Sequence, residues 1–101
     1  MTTVHTLASG SSGNAAVLSC GDTHLLIDAG ISCRRITTAL KELGLAPVEL
    51  TAILVTHTHS DHISGLNTLL KKTDCPILAT PRTCRELDCR FPGIEPRLME
   101  A

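Results

Sequence analysis

The apolar run Ala52-Ile53-Leu54-Val55 passes with hardly a break into His57-Thr58-His59-Ser60-Asp61-His62. A short, nearly continuous apolar stretch over Thr51 to Thr56 predicts a strand buried on both sides, the kind found in parallel sheets. Three of the five histidines in the chain then fall within six positions of one another. Neutral imidazole plus carboxylate is the ligand set that suits zinc and its first-row neighbours.

The spacing matters as much as the composition. If the strand stays extended through Thr56 to His59, alternate side chains share a face, so His57 and His59 point the same way and grip one ion as a pair. Ser60 reads as a helix N-cap, with Ile63, Leu66, Leu69 and Leu70 at helical spacing behind it. Asp61 and His62 then sit on the first helical turn. A carboxylate there faces the positive end of the helix dipole and can orient a metal-bound water, while His62 can reach a second ion. The alternative is a set of ordinary polar residues in a strand-to-helix loop. Packing rewards no such dense run of titratable groups, which are costly to bury unless paired or metal-bound. The expectation is a two-metal hydrolytic site.

Strands and helices alternate along the rest of the chain, which makes the class α/β. The first strand runs from about Val4 to Ala8, and the loop Ser9 to Asn14 is rich in small residues that permit unusual backbone angles. It is not a nucleotide P-loop, because no Gly-Lys-Ser/Thr follows. Ala15 to Ser19 and Thr23 to Asp28 read as strands joined at Gly21-Asp22. From Ser32 to Leu43, Ile36, Ala39, Leu40 and Leu43 form one helical face, and Gly44 is the stop. Lys71-Lys72 favour the C-terminus of the helix behind the histidines, and Pro76 to Ala79 makes another short strand. Thr80-Pro81 is an N-cap and first helical residue for a helix through about Asp88. No element is predicted after Phe91-Pro92-Gly93.

At 101 residues the chain holds at most one domain, here 1–101, and with Phe91 its one aromatic residue the core must be aliphatic. No apolar stretch approaches the roughly 20 residues of a membrane span, and Met1 to His5 carry no basic flank, so the expected location is cytoplasmic, with no membrane partner. Cys20, Cys33, Cys75, Cys84 and Cys89 are odd in number and irregularly spaced, against a disulfide framework. Spacings of nine and five without a fourth partner also argue against a zinc knot at Cys75, Cys84 and Cys89. Nine lysines and arginines face ten acids, and no aromatic near the motifs is available to stack bases, so the electrostatic footprint of a nucleic-acid binder is missing. Arg34-Arg35 is the basic pair close to the motifs, and a solvated helix start accounts for it simply.

The segment TAILVTHTHSDHISGL, residues 51 to 66, resembles the signature of the metallo-β-lactamase-fold hydrolases, and LLIDAG, residues 25 to 30, resembles the strand and turn before it in that superfamily. LASGSSGNAAVL at 7 to 18 and DAGISCRRI at 28 to 36 are similar to the YycJ/WalJ-type branch, described as metal-dependent hydrolases with exonuclease character. The resemblance covers nearly residues 4 to 80. It implies that His57 and His59 bind the first metal and Asp61 and His62 the second, the ions being zinc with manganese or iron as alternatives. Asp61 would also orient a bridging hydroxide for attack on a phosphodiester, and DNA would be the substrate. Asp28 matches an acidic residue that holds the metal loop without binding the ion; a plain turn residue before Gly30 is the simpler reading.

The resemblance also implies more chain than is here. Family members are more than twice as long, and downstream they supply another histidine, a bridging aspartate and a last histidine. No histidine follows His62. The expected fold is therefore the N-terminal half of a metallo-β-lactamase αββα sandwich, apparently truncated. Such a half exposes the sheet face that would pack on its partner, and so predicts self-association or complementation through that face. Beside a working metallo-hydrolase stand two rival expectations: a catalytically incomplete fragment that binds metal weakly, and an interaction module built on the half-sheet.

Overall fold

The computed structural model describes residues 2–9, 13–57, 63, 65–91 and 95–100. Six strands lie side by side in chain order: β1 (Thr2–Ala8), β2 (Ala15–Cys20), β3 (Thr23–Ile27), β4 (Ala52–Leu54), β5 (Ile77–Ala79) and β6 (Leu98–Glu100). β1, β2 and β3 are antiparallel neighbours, and β3 to β6 are parallel. The β2–β3 hairpin closes through Gly21 and Asp22, and Gly21 takes φ +59, which a residue with a side chain resists.

Each parallel step carries its own crossover. α1 (Cys33–Glu42) joins β3 to β4, α2 (Leu66–Leu69) lies between β4 and β5, and α3 (Pro81–Arg90) joins β5 to β6. Right-handed crossovers that all advance in one direction put their helices on one side of the sheet. The core has that form: Val17, Leu26, Ile53 and Ile77 lie in one register row across β2 to β5 and are fully buried with Ile36, Leu40, Leu66, Leu69 and Leu87. It is aliphatic, as the composition requires.

The ends of α1 and α3 follow from local chemistry. Ser32 accepts a hydrogen bond from the Arg35 amide at 3.2 Å, and Thr80 one from the Thr83 amide at 3.3 Å, with Pro81 at the first helical position. At the far end of α1, Gly44 sits at φ +79 and the amides of Leu45 and Gly44 return to the carbonyls of Leu40 and Lys41, closing a Schellman turn.

The opposite sheet face has no helix among the described residues. Residues that alternate with the core rows, Leu18, Leu25, Ile27, Leu54 and Leu78, are half-buried, while Val4 and Met99 are 63% and 53% exposed. Burial of the central apolar strand is therefore uneven: Ile53 and Val55 are buried on the core face, while on the other face Ala52 is buried and Leu54 only half-buried.

Three elements differ from the sequence reading. β4 ends at Leu54, short of the expected Thr56, although the Val55 amide still reaches the Leu78 carbonyl at 3.0 Å; the extended path expected on to His59 runs outside the described residues. α2 is a single turn that stops before Lys71-Lys72. A 3-10 turn (Glu95–Arg97) and β6 follow Phe91, where the sequence predicts no element. The Arg97 guanidinium pins that segment by donating to the carbonyls of Leu70, Thr73 and Cys75 at 2.7, 2.6 and 2.9 Å. Charged donors on three carbonyls are among the stronger hydrogen bonds a surface loop can make.

Candidate metal centre

The parallel register sets Ile27 beside Leu54, so β3 and β4 release their chains side by side at the carboxyl end of the sheet. Open α/β sheets bind ligands at that end. Asp28 is the first residue out of β3, and it is buried at φ +63. That left-handed geometry is rare for a residue with a side chain, though aspartate is among the types that tolerate it.

What holds Asp28 there is its partner strand. Its amide donates to the Leu54 carbonyl at 2.7 Å, and its carboxylate accepts from the Thr56 amide at 2.8 Å and from the Thr56 hydroxyl at 2.8 Å. These bonds tie the residue after Val55 to the end of β3. They also reach His57: its Nδ1 lies 3.0 Å from the same Thr56 hydroxyl. A hydroxyl has one proton, and here it goes to Asp28. Thr56 Oγ1 can then accept from His57, an arrangement that places a proton on Nδ1. Exposed His57 thus ends a carboxylate–hydroxyl–imidazole chain of the sort that orients metal-binding histidines. The donor chemistry fits a divalent ion.

Two other segments clamp the loop that Asp28 begins. Gly13, at φ +142, packs so closely that a Cβ there would stand 2.5 Å from the Gly30 carbonyl oxygen and 2.9 Å from Ile31 Cγ2, and the Gly30 amide donates to the Asn14 carbonyl at 2.8 Å. On the other side the Gly65 amide donates to the Ala29 carbonyl at 2.8 Å, and a Cβ on Gly65 would run into the Ile31 carbonyl oxygen. Glycine serves close backbone approach at both positions.

Of the expected ligands, His57 stands at the carboxyl end of β4, and Asp28 stands behind it. His59, Asp61 and His62, with the expected N-cap Ser60, lie outside the described residues. Accordingly no group of three or more histidine, cysteine or acidic side chains forms a metal cluster among the described residues. The sequence reading missed Thr56, whose hydroxyl links Asp28 to His57; a threonine closing an apolar strand carries no sign of that role. Among the described residues no helix is long and apolar enough to cross a membrane.

Fold, strand-end aspartate and histidine loop together define a class. The chain belongs to the metallo-beta-lactamase superfamily, whose family model matches residues 8–88. It is similar to Exodeoxyribonuclease WalJ of Streptococcus pneumoniae serotype 2 (strain D39 / NCTC 7466), 44% identical over 82 residues that cover 81% of this chain and 30% of that protein. Exodeoxyribonuclease YycJ of Bacillus anthracis is 40% identical over 82 residues, covering 81% of this chain and 31% of its own. Among solved structures, a single-residue mutant of the flavo di-iron protein from Thermotoga maritima matches with TM-score 0.76 and 28% identity, over 88% of this chain and 23% of that one. The chain thus spans about 30% of the length of the curated relatives it matches.

Proposed function

We propose that the chain carries the metal-binding end of a divalent-metal-dependent hydrolase that cleaves phosphodiesters in DNA. The observation that supports this reading is the Asp28–Thr56–His57 chain, which ties His57 to the buried Asp28 at the carboxyl end of the sheet. The exodeoxyribonuclease names of the similar proteins support DNA as substrate.

In this reading His57 and His59 hold one ion and Asp61 and His62 a second, zinc being the preferred metal and manganese or iron the alternatives. Bound divalent ions supply a water nucleophile at neutral pH and stabilise the charge that develops on the phosphoryl oxygens. Asp61, besides ligating, accepts the hydrogen bond that orients the attacking water. Asp28 and Thr56 never touch substrate; they fix the tautomer and direction of His57.

Four ligands from one loop do not complete a two-metal site of this kind. The isolated 101-residue chain is therefore expected to turn over bis(p-nitrophenyl) phosphate very slowly, and the same chain joined to a segment supplying the further histidines and bridging aspartate to do so rapidly. Chelator should remove that activity and Asp61→Ala should destroy it. Fast turnover that survives chelator or Asp61→Ala contradicts the proposal. The bare apolar sheet face favours a second reading, an interaction module that pairs with another chain or copy; sedimentation showing a stable complex that binds no metal would select it.

A further inference from the structure

A groove of about 420 Å³ opens beside α1. Leu7 from the end of β1 and Ile31 from the Asp28 loop give it apolar surface; Arg34, Arg35 and Thr38 give it donors, and Glu42 lines it too. Ile31 belongs to the loop that starts at Asp28 and is clamped by Gly13 and Gly65, so the groove borders that loop. Among the described residues neither guanidinium meets a carboxylate, and Glu42 pairs with neither.

Two adjacent unpaired arginines in a concavity, beside the positive end of a ten-residue helix, form an anion site. Arg34 and Glu42 are eight residues apart on α1, about 12 Å at 1.5 Å per residue, so the groove is positive toward the Asp28 loop and negative at its far end. Phe91, the one aromatic in the chain, follows α3 and does not line the groove, so base stacking is not part of the recognition there.

We propose that this groove holds the phosphodiester backbone of a nucleic-acid strand, with Arg34 and Arg35 binding phosphates and Leu7 packing on the sugars. The inference rests on the phosphodiesterase reading and gives it a substrate-positioning surface. The contacts are to backbone, so binding is independent of sequence. The near-neutral net charge of −1 does not oppose this, because the positive charge is local.

The test is fluorescence anisotropy of a labelled single strand of DNA, about 12 nucleotides long to span one binding site, with the 101-residue chain, in chelator, across a salt series. Arg34→Ala/Arg35→Ala should weaken binding at least about tenfold and lower the slope of log K against log salt by about 1.4, roughly 0.7 per lost phosphate contact. Arg34→Lys/Arg35→Lys should keep most of the slope, which a merely misfolded variant would not, and Glu42→Gln should tighten binding. Absence of binding by the wild type, or unchanged affinity and slope in the alanine pair, overturns the proposal. Because chelator removes any metal from the binding assay, arginine-dependent binding by a chain that stays without bis(p-nitrophenyl) phosphate turnover even when joined to the segment supplying the further ligands would sustain the groove and sink the hydrolase reading. Hydrolysis with arginine-independent DNA binding would do the reverse.

Discussion

Asp28 receives two hydrogen bonds through a single residue at the end of β4, Thr56, whose amide and hydroxyl each lie 2.8 Å from one carboxylate oxygen. The pair joins two parallel strands at the end where His57 emerges. Asp28→Asn should therefore keep metal but bind it about 10- to 100-fold more weakly, whereas Asp61→Ala should lose one ion outright. Zinc titration with a competing chelator dye measures both. Equal losses in the two variants would make Asp28 a ligand and refute its supporting role.

Thr56 offers a sharper test, since its hydroxyl lies between the Asp28 carboxylate and His57 Nδ1. Thr56→Val should release His57 into a mixture of tautomers and weaken metal binding, and Thr56→Ser should restore both. Nitrogen chemical shifts of the His57 ring in the metal-free chain report the tautomer directly. A ring that stays Nδ1-protonated in Thr56→Val would show that another group sets it.

Backbone approach at the Asp28 loop predicts where small changes cost most. Gly65→Ala and Gly13→Ala place a Cβ against backbone atoms of Ile31 and Gly30 that cannot move aside, and each should cost about 1–3 kcal/mol in urea unfolding. Gly21→Ala, with nothing near its Cβ, should cost only the left-handed backbone preference, about 1 kcal/mol. Equal costs at all three positions would mean that close packing plays no part.

The cysteines separate by environment. Burial, with the Glu100 carboxylate adding, pushes the Cys84 thiol up, and Arg85 only partly opposes the shift. Cys84 Sγ also lies 3.6 Å from the Ala79 carbonyl. Its thiolate forms only at higher pH than that of an ordinary thiol, so iodoacetamide at about pH 8 should label exposed Cys20 and Cys89 first and Cys84 last. Early labelling of Cys84 in the folded chain would contradict its burial.

Much of this architecture was legible because the signals are local. Ser32, Ile36, Leu40 and Gly44 mark α1 from cap to stop, and Thr80-Pro81 marks the start of α3. β6 was not, because Leu98-Met99-Glu100 has one half-buried apolar residue and owes its place to Arg97, which bonds carbonyls 22 to 27 positions back. The tie beyond β4 was hidden for the same reason: Thr56 bonds an aspartate 28 positions earlier. Asp28 itself was legible through resemblance, and its tie to His57 was not, since the hydroxyl between them belongs to a residue common in any strand.

The central claim is that His57 and His59 hold a divalent ion at the carboxyl end of β4. Inductively coupled plasma mass spectrometry of the purified chain, after dialysis against zinc and then buffer, tests it most directly beside the His57→Ala/His59→Ala variant. Loss of bound zinc in the double variant, with an unchanged circular dichroism spectrum, is the result expected. The same zinc content in both proteins would contradict it.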